Sequence, residues 1–243
     1  MLRIMKRCTP KSLSEQVIRI QKTEEWQRLN ENDVNVIRSY FDSLDKKLIR
    51  DNLVDEQHGL CAYCMKRIRK EDTIVIEHFK SIKNKEFALD YQNMYGCCDG
   101  GRNIIKSDRK ILCCDASKKD RELTINLQDE NFISSIKYTH DGFIASSDYR
   151  ADMEINSVLC LNGLRDEKGN LKYDTATQIV AGRRAAYRSF ANQMERLNKK
   201  LGNKERMYAE IKKMINNIEN SDEFPEFAGV TLYFLRRRLR NIS

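Results

Sequence analysis

Six of the eight cysteines in this 243-residue chain fall between Cys61 and Cys114. Cys61-Ala-Tyr-Cys64 has the spacing at which two thiolates chelate one Zn²⁺ from a tight turn. The second half of such a site must come from the doublets Cys97-Cys98 and Cys113-Cys114. Adjacent cysteines rarely ligate one tetrahedral ion, so the spacing predicts one ligand from each doublet, across the basic loop from Asp99 to Cys113. Buried free thiols are the alternative for the doublets. A redox role for the Cys-x-x-Cys is disfavoured because no βαβ pattern surrounds it.

Between and after these cysteines lie residues of a different chemistry. Glu77-His78 ends the β-branched run Ile74–Phe79, Asn93 follows, and Cys114 leads into Asp115-Ala-Ser-Lys118. An imidazole with an ordinary pKa near 6.5 suits His78 to taking a proton from water at neutral pH. Glu77 and Asp115 offer hard oxygens for Mg²⁺ or Mn²⁺. Asn93 cannot titrate, so its expected task is to fix the loop that aims His78. Lys118, about one helical turn beyond Asp115, suits a flanking anion as a point charge. A regular strand sends Glu77 and His78 to opposite faces, so a shared centre needs a strand end or a bulge there. His58, beside the knuckle, competes as a metal ligand or substrate contact, and His140 reads as a turn residue.

The elements that must hold these groups are partly legible. Ser12-Leu-Ser-Glu15 has the form of a capping box, predicting a helix from Ser12 through Trp26. Val34, Ile37, Phe41, Leu44 and Leu48 make one apolar stripe, a second helix that Asp33 can cap. Ile74–Phe79 reads as a strand, Asp115–Arg121 as one or two helical turns, and Leu123–Leu127 as a weaker strand. Ile133–Ala145 reads as a hairpin turning at His140-Asp141-Gly142. Beyond it, a long helix is expected to start near Asp174, another over Lys204–Ile218, and a last basic segment over Leu232–Arg240. The expected division is 1–56 as an N-terminal helical scaffold, 57–130 as the core bearing the cysteines, and 131–243 as a hairpin with C-terminal helices.

Lysine and arginine number 44 against 36 acidic residues, a net charge of +8. The excess is clustered at Gly101–Arg121, at Arg183–Lys213 and at Arg236-Arg237-Arg238-Leu239-Arg240, which favours a phosphate backbone or an acidic protein surface as partner. No apolar run approaches the roughly 20 residues that span a bilayer. Nor does an apolar stretch follow the first basic residues as in a secretory signal. The expectation is a cytoplasmic protein with no membrane contact, whose thiols stay reduced.

Gln57-His-Gly-Leu-Cys-Ala-Tyr-Cys64, Ile76-Glu-His-Phe79, Asp90-Tyr-Gln-Asn93 with Cys98-Asp-Gly-Gly101, and Cys114-Asp-Ala-Ser-Lys118 resemble the HNH endonucleases of retron and Septu antiphage systems (the PtuB type). The resemblance covers most of the chain. It implies an α+β fold, with a ββα-metal HNH core around a four-cysteine zinc site and N- and C-terminal helices flanking it. It selects Cys98 and Cys114 as the remaining ligands of a structural zinc held with Cys61 and Cys64. It casts His78, Glu77, Asn93, Asp115 and Lys118 as catalytic residues, with Glu77 and Asp115 holding a catalytic Mg²⁺ or Mn²⁺. The last position of HNH motifs is usually His or Asn, where this chain has Asp115. Implied function is phosphodiester hydrolysis in nucleic acid beside a PtuA-type ATPase, with DNA the commoner HNH substrate and tRNA the alternative. The competing readings are a zinc-stabilised nucleic-acid-binding module that does not cut, and a module that docks the ATPase.

Overall fold

The computed structural model describes residues 1–71, 74–104 and 111–242. The part of the first basic cluster at 105–110 therefore lies outside the described residues. Four N-terminal helices, α1 (Lys11–Gln21), α2 (Glu24–Arg28), α3 (Val34–Ser43) and α4 (Lys46–Glu56), lead into the cysteine region. There β1 (Val75–His78), α5 (Lys85–Ala88), β2 (Met94–Cys97) and α6 (Cys114–Lys118) follow. Next come α7 (Glu130–Ser135), β3 (Ile136–Tyr138), β4 (Ile144–Ser146), α8 (Tyr149–Met153), β5 (Leu164–Arg165) and β6 (Leu171–Tyr173). Three long helices close the described chain: α9 (Ile179–Leu201), α10 (Lys204–Glu219) and α11 (Ala228–Arg240). The fold is mixed helix with three two-stranded antiparallel sheets among the described residues.

The β1–β2 hairpin divides two cores. On one side Leu13, Ile37, Phe41, Ile49 and Leu53 of the N-terminal helices pack with Ala88, Leu89, Tyr91 and Met94. On the other, the Leu60–Ile68 knuckle region, Tyr95, Leu127, Ile155 and Ile179 form the larger core. A third cluster, including Met194, Ile211, Ile215, Leu232 and Leu235, joins α9, α10 and α11. Among the described residues no helix is long and apolar enough to cross a membrane.

Several helix boundaries differ from the sequence expectation, each for a local reason. The Ser12–Glu15 capping box does not form: α1 begins at Lys11 behind Pro10, whose fixed φ presets the first turn. The expected helix through Trp26 breaks at Lys22-Thr23, because the Thr23 side chain accepts from Trp26 N at 3.2 Å and starts α2. The Val34–Leu48 stripe is likewise two helices. Asp45 accepts from Leu48 N at 2.9 Å and caps α4, so Leu44 leaves the helix while remaining in the core. Asp33 makes no side-chain cap bond, since its Oδ2 accepts from Asn30 N at 2.8 Å. Residues 123–127 form no strand. The buried Glu154 carboxylate accepts from Thr124 N (2.8 Å) and Ile125 N (3.1 Å), replacing the neighbouring strand that a ladder requires. The β3–β4 hairpin turns where expected, but Ile133 belongs to α7. Helix α9 starts at Ile179 rather than near Asp174, whose carboxylate accepts from Val180 N and Ala181 N at 3.1 and 2.8 Å.

Candidate metal and catalytic centre

Cys61, Cys64, Cys98 and Cys114 meet with their sulfur atoms all within 4.8 Å of one another, every one buried. The pairs Cys61–Cys114, Cys64–Cys98 and Cys98–Cys114 lie 3.9, 3.7 and 3.8 Å apart. A tetrahedral ion with metal–sulfur bonds of about 2.3 Å requires edges of about 3.8 Å, so the cluster fits such an ion closely. Three local devices build it. Met65 adopts a left-handed φ of 64° and donates to Cys61 O at 3.0 Å, folding the knuckle back on itself. Buried Gln57 bonds Leu60 O and both the carbonyl and N–H of Gly96, clamping the knuckle to β2. At Gly100 a Cβ would sit 2.2 Å from Cys113 O, so only glycine lets the Cys98 turn approach α6. Burial opposes ionisation of Cys61, yet hydrogen bonds from Cys114 and Cys64 hold it well below the ordinary thiol value. The other members of the doublets, Cys97 and Cys113, are buried outside this cluster, and Cys113 Sγ contacts Thr177 Oγ1 at 3.3 Å.

The residue after Cys114 opens a second centre. Asp115, in the first turn of α6, lies close enough to Glu77 of β1 to act on its carboxyl group. Burial, followed by the neighbouring Asp115, pushes the Glu77 carboxyl well above its ordinary value, against the pull of Lys118. Lys118 Nζ binds Glu77 Oε1 at 2.8 Å and the backbone carbonyl of His78 at 3.1 Å. Its side chain is 1% exposed, so the ammonium is committed inside the fold. Tyr63, between the knuckle cysteines, donates to Glu77 Oε1 at 3.1 Å. Arg102 Nη2 reaches Asp115 Oδ2 at 2.6 Å from the turn after Cys98. Tyr63 and Arg102 were not singled out by sequence reasoning. Tyr63 had its place inside the knuckle as a signal, whereas Arg102 was one charge in a basic run.

Strand β1 pairs regularly to its end, Glu77 opposite Tyr95 and His78 opposite Met94, with no bulge. His78 is its last residue, and alternation turns its ring to the other side from the Glu77 carboxyl. There the ring meets Phe41 edge-on, with centroids 4.5 Å apart, and Nε2 lies 3.0 Å from Ala88 O. A carbonyl only accepts, so Nε2 carries the proton and Nδ1 keeps its lone pair. Burial first, helped by the positive charges of Lys46, Arg38 and Lys118, lowers the His78 pKa to about 4, leaving it neutral near pH 7. The loop carrying Ala88 is held by buried Asn93. Its Oδ1 accepts from Lys80 N at 2.8 Å, and its Nδ2 donates to Lys80 O and Phe87 O at 2.9 and 3.1 Å.

The remaining histidines stand apart. His58 stacks on Phe224 at 4.0 Å with Nδ1 3.1 Å from Ser221 O, away from the four sulfurs. His140 is exposed and pairs with Asp141 at 3.2 Å. The structure thus gathers the four cysteines in one cluster and Glu77, Asp115 and Lys118 in an adjoining network. It sets the His78 ring, with the loop that Asn93 holds, across β1.

No protein-family model matches the chain. Over 139 residues, 55% of its length, the chain is 30% identical to a protein of Vibrio cholerae serotype O1 biovar El Tor. That protein is named as a candidate HNH endonuclease of retron Vc95, and the match spans 64% of it. The similarity is therefore to a nuclease-type protein from a retron context, over part of each chain.

Proposed function

We propose that the chain is a metal-dependent HNH endonuclease that hydrolyses phosphodiester bonds in nucleic acid, DNA foremost. In this reading β1, β2 and α6 are the ββα-metal core. Cys61, Cys64, Cys98 and Cys114 hold a structural Zn²⁺ that replaces much of a hydrophobic core at this point. The observation that carries the reading is the buried meeting of Glu77 and Asp115 beside that cluster. Glu77 and Asp115 are already paired with Lys118 and Arg102, and their hard oxygens suit Mg²⁺ or Mn²⁺ as well. Bound there, such a metal would supply Lewis acidity and neutralise charge on the leaving 3′ oxygen. His78 is the general base by the family resemblance, and its Nδ1 lone pair, with Ala88 O fixing the tautomer, takes the proton of the attacking water once the ring turns from its Phe41 contact toward the Glu77 side of β1. Asn93 positions that base through the loop, and Lys118 fixes the Glu77 carboxyl against the backbone of His78. Its buried ammonium gives Lys118 this positioning task rather than a grip on a flanking phosphate.

The same resemblance and the retron context of the relative support a cytoplasmic effector of antiphage defence, acting with a PtuA-type ATPase. The test is cleavage of plasmid DNA and of total tRNA with Mg²⁺ or Mn²⁺, wild type beside His78→Ala, with and without that ATPase. Cutting that disappears only in His78→Ala supports the nuclease, and the degraded pool identifies the substrate. Intact pools in every condition, from folded and zinc-loaded protein, would move the reading to a binding or docking module.

A further inference from the structure

Resting on the nuclease reading, we propose that Arg38 of helix α3 binds a substrate phosphate flanking the scissile one, which brings the N-terminal helices into the substrate grip. Sequence spacing gave a flanking anion to Lys118, but the fold commits that ammonium to Glu77 and the His78 carbonyl. The charges that reach the buried His78 ring are those of Lys46, Arg38 and Lys118, from α4, α3 and α6. Lys46 is also committed. Its Nζ donates to Phe41 O and lies 2.8 Å from the centre of the Phe41 ring, with the side chain 21% exposed. Arg38 is exposed and makes no hydrogen bond or ion pair among the described residues.

Helix geometry sets where Arg38 stands. It precedes Phe41 by one turn, so the two side chains share a face of α3. The Phe41 ring in turn meets the His78 ring with centroids 4.5 Å apart. The carboxylates on this surface already have cations: Asp42 lies 3.7 Å from Lys46, and Asp120 pairs with Lys83 at 2.9 Å. Asp120, lowered first by its bond to Lys83, also feels Arg38 and Lys118, which puts all three cations around one end of β1. Strand β1 stops at His78. A backbone whose scissile phosphate lies at Glu77 and Asp115 therefore passes this end, where Arg38 faces solvent. A guanidinium there matches the planar pair of oxygens on a neighbouring phosphodiester.

The experiment uses full-length, zinc-loaded His78→Ala protein, which cannot cut, as parent, with Arg38→Gln, Arg38→Lys or Arg19→Gln added. Arg19, an exposed arginine of α1, controls for the loss of one charge. With Mn²⁺ present, binding of a short DNA duplex and of tRNA is read separately over a series of salt concentrations. Arg38→Gln is expected to weaken whichever nucleic acid the parent binds by about tenfold at low salt. It should also reduce the slope of log affinity against log salt by about 0.7 to 0.9, the share of one phosphate. Arg38→Lys should keep the slope and weaken binding less, since an ammonium keeps the charge without the fork. Arg19→Gln should leave affinity and slope at the parent values. An arginine that served only the fold would leave the slope alone. An unchanged slope in Arg38→Gln, or an equal effect of Arg19→Gln, overturns this inference alone. A parent that binds neither nucleic acid overturns the nuclease reading and this inference with it.

Discussion

Asn93 is where a single substitution separates the fold from the proposed chemistry. The residue is 6% exposed and its side-chain amide makes three hydrogen bonds, one from Lys80 N and two to the carbonyls of Lys80 and Phe87. The backbone adds a fourth, Phe79 N to Asn93 O at 2.9 Å. Together they close the loop that presents Ala88 O to His78. Asn93→Ala strands one N–H and two carbonyls. At about 1 kcal/mol net for each bond, the expected loss is about 3 kcal/mol, more if the stranded groups stay dry. Asn93→Asp keeps the acceptor for Lys80 N but turns a carboxylate toward two carbonyls, and should be the worse of the two at neutral pH. Urea unfolding of the zinc-loaded proteins, compared by midpoint at constant slope, measures the loss. Cleavage is then assayed where each variant is folded, and should fall by about 100-fold or more because the base loses its fixed tautomer and aim. An Asn93→Ala protein within about 0.5 kcal/mol of wild type would refute the loop reasoning, since that is the range of neutral surface changes. Full cleavage by the same protein would refute the link from that loop to His78.

Cys61→Ser should lose the bound metal and the cooperative thermal transition. Cys97→Ser, outside the cluster, should keep full metal content by elemental analysis, so equal metal loss in both would contradict the ligand set. The His78 pKa of about 4 against an ordinary 6.5 makes stability pH-dependent. Between these values the unfolded chain binds the proton that the folded chain refuses, so stability rises with pH through this window and is fully present above it. The part due to His78 is about 3 kcal/mol. Urea midpoints taken across that range should show a shallower slope in His78→Gln, and parallel curves would count against a buried neutral imidazole. Glu154→Gln should cost about 1–3 kcal/mol by urea unfolding, because one amide oxygen cannot serve the N–H groups of both Thr124 and Ile125 as two carboxylate oxygens do. A neutral result would mean that water satisfies that segment.

What the sequence determined by itself was local in character. The Cys61-x-x-Cys64 knuckle, the β-branched strand that ends in Glu77-His78, the helical turn after Cys114 and the turn at Asp141-Gly142 all follow from residue type and short spacing. The physical reason is that turn chemistry, chelate spacing and strand propensity act within a few residues. Helix breaks were less legible, because Thr23 and Asp45 compete as caps against a continuous apolar stripe, and composition does not say which wins.

Tertiary structure decided everything that depends on which side a group faces. Spacing left the choice within each cysteine doublet open, although the family resemblance favoured Cys98 and Cys114. In the fold those two sulfurs turn to Cys61 and Cys64, while Cys97 is buried elsewhere in the core and Cys113 turns to Thr177 Oγ1. Lys118 reads in sequence as a free point charge, yet α6 delivers it to Glu77 and the His78 carbonyl. Arg102 was indistinguishable from its basic neighbours until the turn at Gly100 carried it to Asp115. Residues 123–127 have the composition of a strand but lack a strand to pair with, and Glu154 takes their N–H groups instead. Partners distant in sequence satisfy these charges and backbone groups, and only the packed chain brings such partners within bonding distance.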